Sequence, residues 1–114
     1  MELAVLSETG DSDVRVTRLI GEVDLHSAAE LSTKLNDVIA NDPKVVLDLD
    51  EVGFLDSTGL GALVAARTNA TDRGGDLVLV CTQQRLLKLF AITGLQSVFQ
   101  FHEDVASAVN AFTA

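Results

Sequence analysis

The chain has 114 residues, 47% apolar and 22% charged, a balance that fits one packed domain over residues 1–114 and excludes a disordered chain. Seventeen acidic against eight basic residues leave a net charge of −9, which argues against nucleic acid or an anionic membrane as partner and suits either a basic protein surface or simple solubility. No apolar run approaches the ~18 residues of a membrane helix, Met1-Glu2-Leu3-Ala4-Val5 lacks the basic start of a secretory signal, and Cys81 is alone, so the expected setting is cytoplasmic and free of internal disulfides.

Leu3-Ala4-Val5-Leu6 reads as a first strand and Gly10-Asp11-Ser12-Asp13 as a turn. Val14, Val16 and Arg18 then alternate with Arg15, Thr17 and Leu19 in a half-buried second strand that ends near Ile20 and Gly21, close enough to the first to make a hairpin. Ser27-Ala28-Ala29-Glu30 has the form of a capping box, with the serine hydroxyl accepting from the third helical N–H and the glutamate reaching back. Leu31, Leu35, Val38 and Ile39 follow at helical spacing, and Asn41-Asp42-Pro43 stops that helix before a strand over Val45–Leu49.

A second helix opens near Thr58, carries Leu60, Leu63, Val64 and Arg67, and ends at Gly74-Gly75. Leu77-Val78-Leu79-Val80-Cys81 is apolar throughout, as a strand covered on both faces should be. Leu86, Leu87 and Phe90 mark a third helix, closed by Gly94 as a left-handed cap with Leu95 behind it. Val98–Phe101 is expected to be a short strand, and Val105, Ala108, Val109 and Phe112 mark a last helix. The order β-β-α-β-α-β-α-β-α implies an α/β fold: a mixed, mostly parallel sheet of about four or five strands with about four helices packed mainly against it.

One stretch carries more chemistry than the rest: Phe54-Leu55-Asp56-Ser57-Thr58-Gly59-Leu60-Gly61, where a strand hands over to a helix. Free backbone N–H groups and the helix dipole favour negative charge there, so a serine hydroxyl at that point can become a phosphate without breaking the fold. Asp56 and Ser57 both suit the helix cap, and a plain capping role for Ser57 is the simplest reading of the residue taken alone. Gly59 and Gly61 either ease the turn or strip side chains away so that a partner can approach.

These residues resemble the STAS domain family of bacterial anti-sigma factor antagonists. Gly21-Glu22-Val23-Asp24 resembles the family's glycine–glutamate–aliphatic–aspartate segment, and Asp48-Leu49 to Val52 followed by Phe54–Gly61 resembles its phosphorylation segment. Lys88-Leu89-Phe90-Ala91-Ile92-Thr93-Gly94-Leu95 resembles its third helix and glycine cap, so the resemblance covers nearly the whole chain. It implies that the unphosphorylated chain binds an anti-sigma factor that is also a serine kinase, releasing a sigma factor. Phosphorylation of the serine after the aspartate, here Ser57 with Thr58 as second choice, switches it off, and a serine phosphatase restores it. STAS domains also occur in stressosome-type proteins and as tails of anion transporters; without a membrane segment or sensory domain, a free-standing antagonist is expected.

The expected partner surface comprises Glu22, Asp24, Asp56, Ser57, Thr58, Gly59, Leu60 and Gly61, with the two acids of the Gly21–Asp24 segment on a loop at the same end of the sheet as Ser57 and available to a partner's arginines. As ordinary solvated loop acids they would contribute little. Arg85 and Lys88 are expected on an exposed helix face within a partner's reach, Cys81 in the core, and His26 and His102 on the surface. No catalytic residue, metal site or cofactor is expected. Gly59-Leu60-Gly61 has the opening of a dinucleotide loop, but Val64 stands where the third small residue belongs and no acid ends the following strand. A small nucleotide-binding α/β protein is therefore the weaker alternative, and a STAS-type scaffold without a phospho-switch is another. A receiver domain phosphorylated on aspartate would need an acidic pair after the first strand, and Leu6-Ser7-Glu8 does not supply one.

Overall fold

The computed structural model describes residues 4–9 and 14–113. Five strands and four helices alternate in the expected order: β1 (Ala4–Thr9), β2 (Arg15–Val23), α1 (Ala28–Asn41), β3 (Lys44–Leu55), α2 (Ser57–Asp72), β4 (Asp76–Val80), α3 (Gln84–Ile92), β5 (Phe101–His102) and α4 (Val105–Thr113). The strands lie side by side in chain order. β1 is antiparallel to β2, and every later pair is parallel. The Gly10–Asp13 turn and Leu3 lie outside the described residues.

The sheet is buried on both faces. Leu31, Leu35 and Ile39 of α1, Leu60 and Leu63 of α2 and Leu86 and Phe90 of α3 join Leu19, Leu47 and Leu79 in the larger core. On the other face α4, through Ala108 with Val105, Val109 and Phe112, covers Val14, Val46, Val78 and Val80. β2 is half-buried, as its alternation suggests: Thr17, Leu19, Gly21 and Val23 are buried, and Val16, Arg18, Ile20 and Glu22 between them are partly or fully exposed. Gly94 closes α3 at φ +75, where the Leu95 N–H donates to Phe90 O and the Gly94 N–H to Ala91 O, the double bond pattern of a left-handed glycine cap.

Three local expectations are corrected. β2 runs on to Val23 and β3 to Leu55, well past Gly21 and Leu49, because the two strands keep pairing through Val23↔Leu55. Val98 and Phe99 form a turn, and β5 is only Phe101–His102; Phe99 instead packs edge-on against Phe90 and Phe101, and its burial rather than strand pairing explains the apolar run. The Ser27–Glu30 capping box does not form. Ser27 Oγ donates to Glu22 O at 2.9 Å and accepts from the Asp24 N–H at 3.0 Å, so its hydroxyl ties the incoming loop to the strand end instead.

The long tail of β3 carries the site. Opposite Arg18–Glu22 of β2, β3 accommodates two extra residues, one between Asp48 and Glu51 and one between Val52 and Phe54. Each extra residue locally breaks the ladder and bends the strand. On its other side β3 loses its neighbour, since pairing with β4 stops at Asp48↔Val80. The carbonyls left over are taken by side chains. Gln83 Nε2 donates to Leu49 O (3.2 Å), Asp50 O (3.0 Å) and Val52 O (2.9 Å), and Arg85 Nη2 donates to Gly53 O at 2.8 Å. Asp50 Oδ1 accepts from the Thr82 N–H at 2.6 Å, which ties the same bulge to the β4–α3 connection.

Candidate functional site

The carboxyl ends of β2 and β3 finish side by side, and the Asp56 N–H donates to Val23 O across the last rung at 3.2 Å. In an open parallel sheet this is the end at which binding sites form. Two turns start from that rung: Asp24–Ser27 leads into α1, and Asp56 leads directly into α2.

Asp56 is the cap of α2. Its backbone is extended, and its Oδ1 accepts from the Gly59 N–H at 3.0 Å. Ser57 is therefore the first helical residue and not the cap, which sets aside the simplest reading of that serine. Both Ser57 and Thr58 are exposed. A group added to the Ser57 hydroxyl projects into solvent beside the positive end of a 16-residue helix.

The two glycines separate cleanly. A Cβ on Gly59 would lie 2.6 Å from Val23 Cγ1, 2.7 Å from Leu55 Cδ1 and 3.0 Å from Val23 O, so Gly59 lets the first turn of α2 sit directly on the strand ends. Around Gly61 nothing lies within 4 Å of the same position, and the residue is exposed. Gly61 leaves open surface one turn beyond Ser57, whereas Gly59 and Leu60 are buried. At the helix mouth the Asp56 carboxylate already accepts from the Gly59 N–H, one of the groups that a dinucleotide phosphate would use.

Glu22 and Asp24 do share this end of the sheet, but not one loop. Glu22 is a strand residue opposite Phe54, and Asp24 begins the turn. Asp24 Oδ1 accepts from the Ser27 N–H at 3.1 Å and the His26 N–H at 2.9 Å. These bonds, that from Ser27 foremost, hold its carboxyl below the ordinary aspartate value. Half of that carboxylate is thus committed to shaping the turn. The turn in exchange presents Leu25, 69% exposed.

Elsewhere, Cys81 is buried, and desolvation raises its thiol above the ordinary value. His26 is exposed as expected. His102 is not fully at the surface: it is half-buried on β5, with Nε2 out of contact with solvent and without a hydrogen-bond partner. Among the described residues no group of His, Cys, Asp or Glu is placed to hold a metal ion, and no helix is long and apolar enough to cross a membrane. Gln83 and Arg85, which brace the strand carrying the site, were not readable as such: their partners are backbone carbonyls about thirty residues away, and two polar residues at the opening of a helix give no sign of that.

Residues 7–108 match the profile of the STAS domain family. The chain is a STAS-domain protein. It is 34% identical over 98 residues to the anti-sigma-B factor antagonist of Bacillus subtilis, covering 86% of this chain and 89% of that protein. With the anti-sigma-B factor antagonist of Listeria monocytogenes it shares 33% identity over 101 residues, 88% of this chain and 89% of the relative. The crystal structure of an anti-sigma factor antagonist from Mycobacterium paratuberculosis superposes with a TM-score of 0.89 at 28% identity, covering 99% of this chain and 96% of that one. The fold of this STAS domain is thus the expected one, with the exposed serine at the opening of α2.

Proposed function

We propose that this chain is an anti-sigma factor antagonist. Its unmodified form binds an anti-sigma factor that is also a serine kinase and so frees a sigma factor for transcription. Phosphorylation of Ser57 ends that binding, and a serine phosphatase restores it. The chain acts inside the cell as a binding protein and substrate, not as a catalyst. The observation that carries the reading is an exposed serine at the first position of α2 whose capping role has been taken over by Asp56. Similarity to proteins named anti-sigma-B factor antagonists supports it independently.

Physically, the switch is a change of charge at a preformed surface. Glu22, Asp24, Asp56, Ser57, Thr58 and Gly61 make the contact face, while Gly59 and Leu60 hold the helix against the strands beneath it. A phosphate adds about −1.5 to −2 charge. In the free protein the helix N-terminus and water accommodate it. In an interface that buries the plain hydroxyl, stripping water from the phosphate without a new cation costs several kcal/mol. At about 1.4 kcal/mol per tenfold, binding falls by about three decades.

The test is incubation of the purified chain with its cognate kinase and ATP, followed by phosphosite mapping and a binding titration. Ser57 is expected to carry the phosphate, Ser57→Ala to bind permanently, and Ser57→Asp to bind about a thousandfold more weakly. Phosphate on Thr58 moves the switch by one residue; phosphate outside the opening of α2 overturns it.

A further inference from the structure

Beyond Ser57, the chain carries a second recognition element on the other side of β3. Because β3 outruns β4, the side of its last residues away from β2 has no strand against it, and α3 lies across the gap. Between them runs a groove of about 270 Å³. Phe54 and Leu55 wall it from β3, Leu89 and Ile92 from α3, and Arg85 and Lys88 stand at its rim. Large apolar side chains among the described residues are otherwise well covered. The exposed ones among the described residues are Leu25, Phe54 at 48% and Ile92 at 72%, and two of these three line this one groove.

Its charge is opposite to that of the chain. No acidic residue lines it, although the net charge is −9. Four of the other basic residues, Arg15, Arg18, Lys34 and Arg67, are paired with carboxylates, whereas neither Arg85 nor Lys88 forms an ion pair among the described residues. Arg85 is held in place by Gly53 O, and Lys88 is exposed. An apolar floor with two uncompensated cations selects an occupant that brings a large apolar side chain and carboxylates together. The groove is open and smaller than the pockets that enclose drug-sized ligands, and it seats an anchoring side chain of a larger partner better than a free small molecule. It is also continuous with the switch, since Leu55 lines it and Asp56 and Ser57 follow directly in the chain.

We infer that this groove docks an acidic segment of the anti-sigma partner, anchored by one large apolar residue, as a contact separate from Ser57. The inference rests on the proposed partner-switching function and adds a second, constitutive part to the same interface.

The experiment measures binding of the purified kinase that phosphorylates this chain to the wild type, Ser57→Asp, Lys88→Glu, Lys88→Arg and Ile92→Ser, with thermal melts of each variant. Lys88 and Ile92 are exposed, and their variants are expected to melt with the wild type. Lys88→Glu and Ile92→Ser are expected to weaken binding at least tenfold, Lys88→Arg less than threefold, and added salt to narrow the gap between wild type and Lys88→Glu. If Ser57→Asp abolishes binding while both groove variants bind like the wild type, the groove inference is wrong and the functional reading stands. If Ile92→Ser weakens binding but Lys88→Glu does not, the occupant is not acidic and the inference fails as stated. Should Ser57→Asp bind as the wild type does, the functional reading itself fails.

Discussion

Replacing each of the two glycines in the first turns of α2 by alanine separates packing from propensity. Both positions are helical and lie two residues apart, so the gain from removing glycine, up to about 1 kcal/mol, is similar in the two variants and largely cancels when they are compared. What remains is the added methyl. At Gly59 it meets Val23 Cγ1 at 2.6 Å, Leu55 Cδ1 at 2.7 Å and the Val23 carbonyl at 3.0 Å; at Gly61 it meets nothing within 4 Å. Overpacking of this kind costs about 1–3 kcal/mol. For a domain near this size each kcal/mol shifts the melting temperature by about 4 °C or slightly more. Gly59→Ala is therefore expected to melt about 4–12 °C below Gly61→Ala, with Gly61→Ala at or above the wild type. Circular dichroism at 222 nm through a thermal ramp reads the difference directly. Equal melting temperatures would show that α2 can lift off the strand ends at no cost, and the account of a site held rigidly by close packing would be wrong. The same pair reads function: Gly61→Ala, stable but with a methyl on the open surface, is expected to lose partner affinity.

Asp56→Ala removes the side chain that accepts from the Gly59 N–H, and urea denaturation should register a loss of about 1 kcal/mol, most of it recovered in Asp56→Asn. Gln83→Ala leaves three β3 carbonyls without their side-chain donor; a loss of about 1–3 kcal/mol is expected, with faster amide exchange concentrated in residues 49–55. The Asp24 carboxyl is depressed in the folded state, so its contribution is whole above the unfolded-chain value and is lost as pH falls through the lower folded one. Asp24→Asn should accordingly flatten the loss of stability below about pH 4, and an unchanged acid limb would contradict the bonding described for the turn. Burial raises the Cys81 thiol, so an aromatic disulfide reagent at pH 8 should modify native protein far more slowly than protein in denaturant, and equal rates would place the thiol at the surface.

Much of the site was legible because its signals are local. A strand, an aspartate, a serine and two glycines ahead of an apolar-periodic helix specify a helix mouth with a cap and an exposed hydroxyl; of the two capping candidates the structure uses Asp56, and it buries Gly59 and Leu60. Local signals failed where two segments compete for one group. Ser27 has the spacing of a capping box, yet its hydroxyl bonds Glu22 O and the Asp24 N–H, because the strand end next to it leaves those groups free. Gly59 and Gly61 are indistinguishable in the sequence, since one residue's need for close approach is set by what the strands bring beneath the helix.

By itself, the order of apolar runs and breakers determined the α/β fold, the alternation of strands and helices, the left-handed cap at Gly94 and the serine at the opening of α2. These depend on residues within a few positions of one another. Tertiary structure alone decided that β3 outruns β4, that Gln83 and Arg85 satisfy its stray carbonyls, and that Phe54 and Ile92 meet in a cationic groove. Each of these joins groups about thirty residues or more apart, and hydrophobic periodicity holds no information about which distant backbone group a side chain will find unpaired.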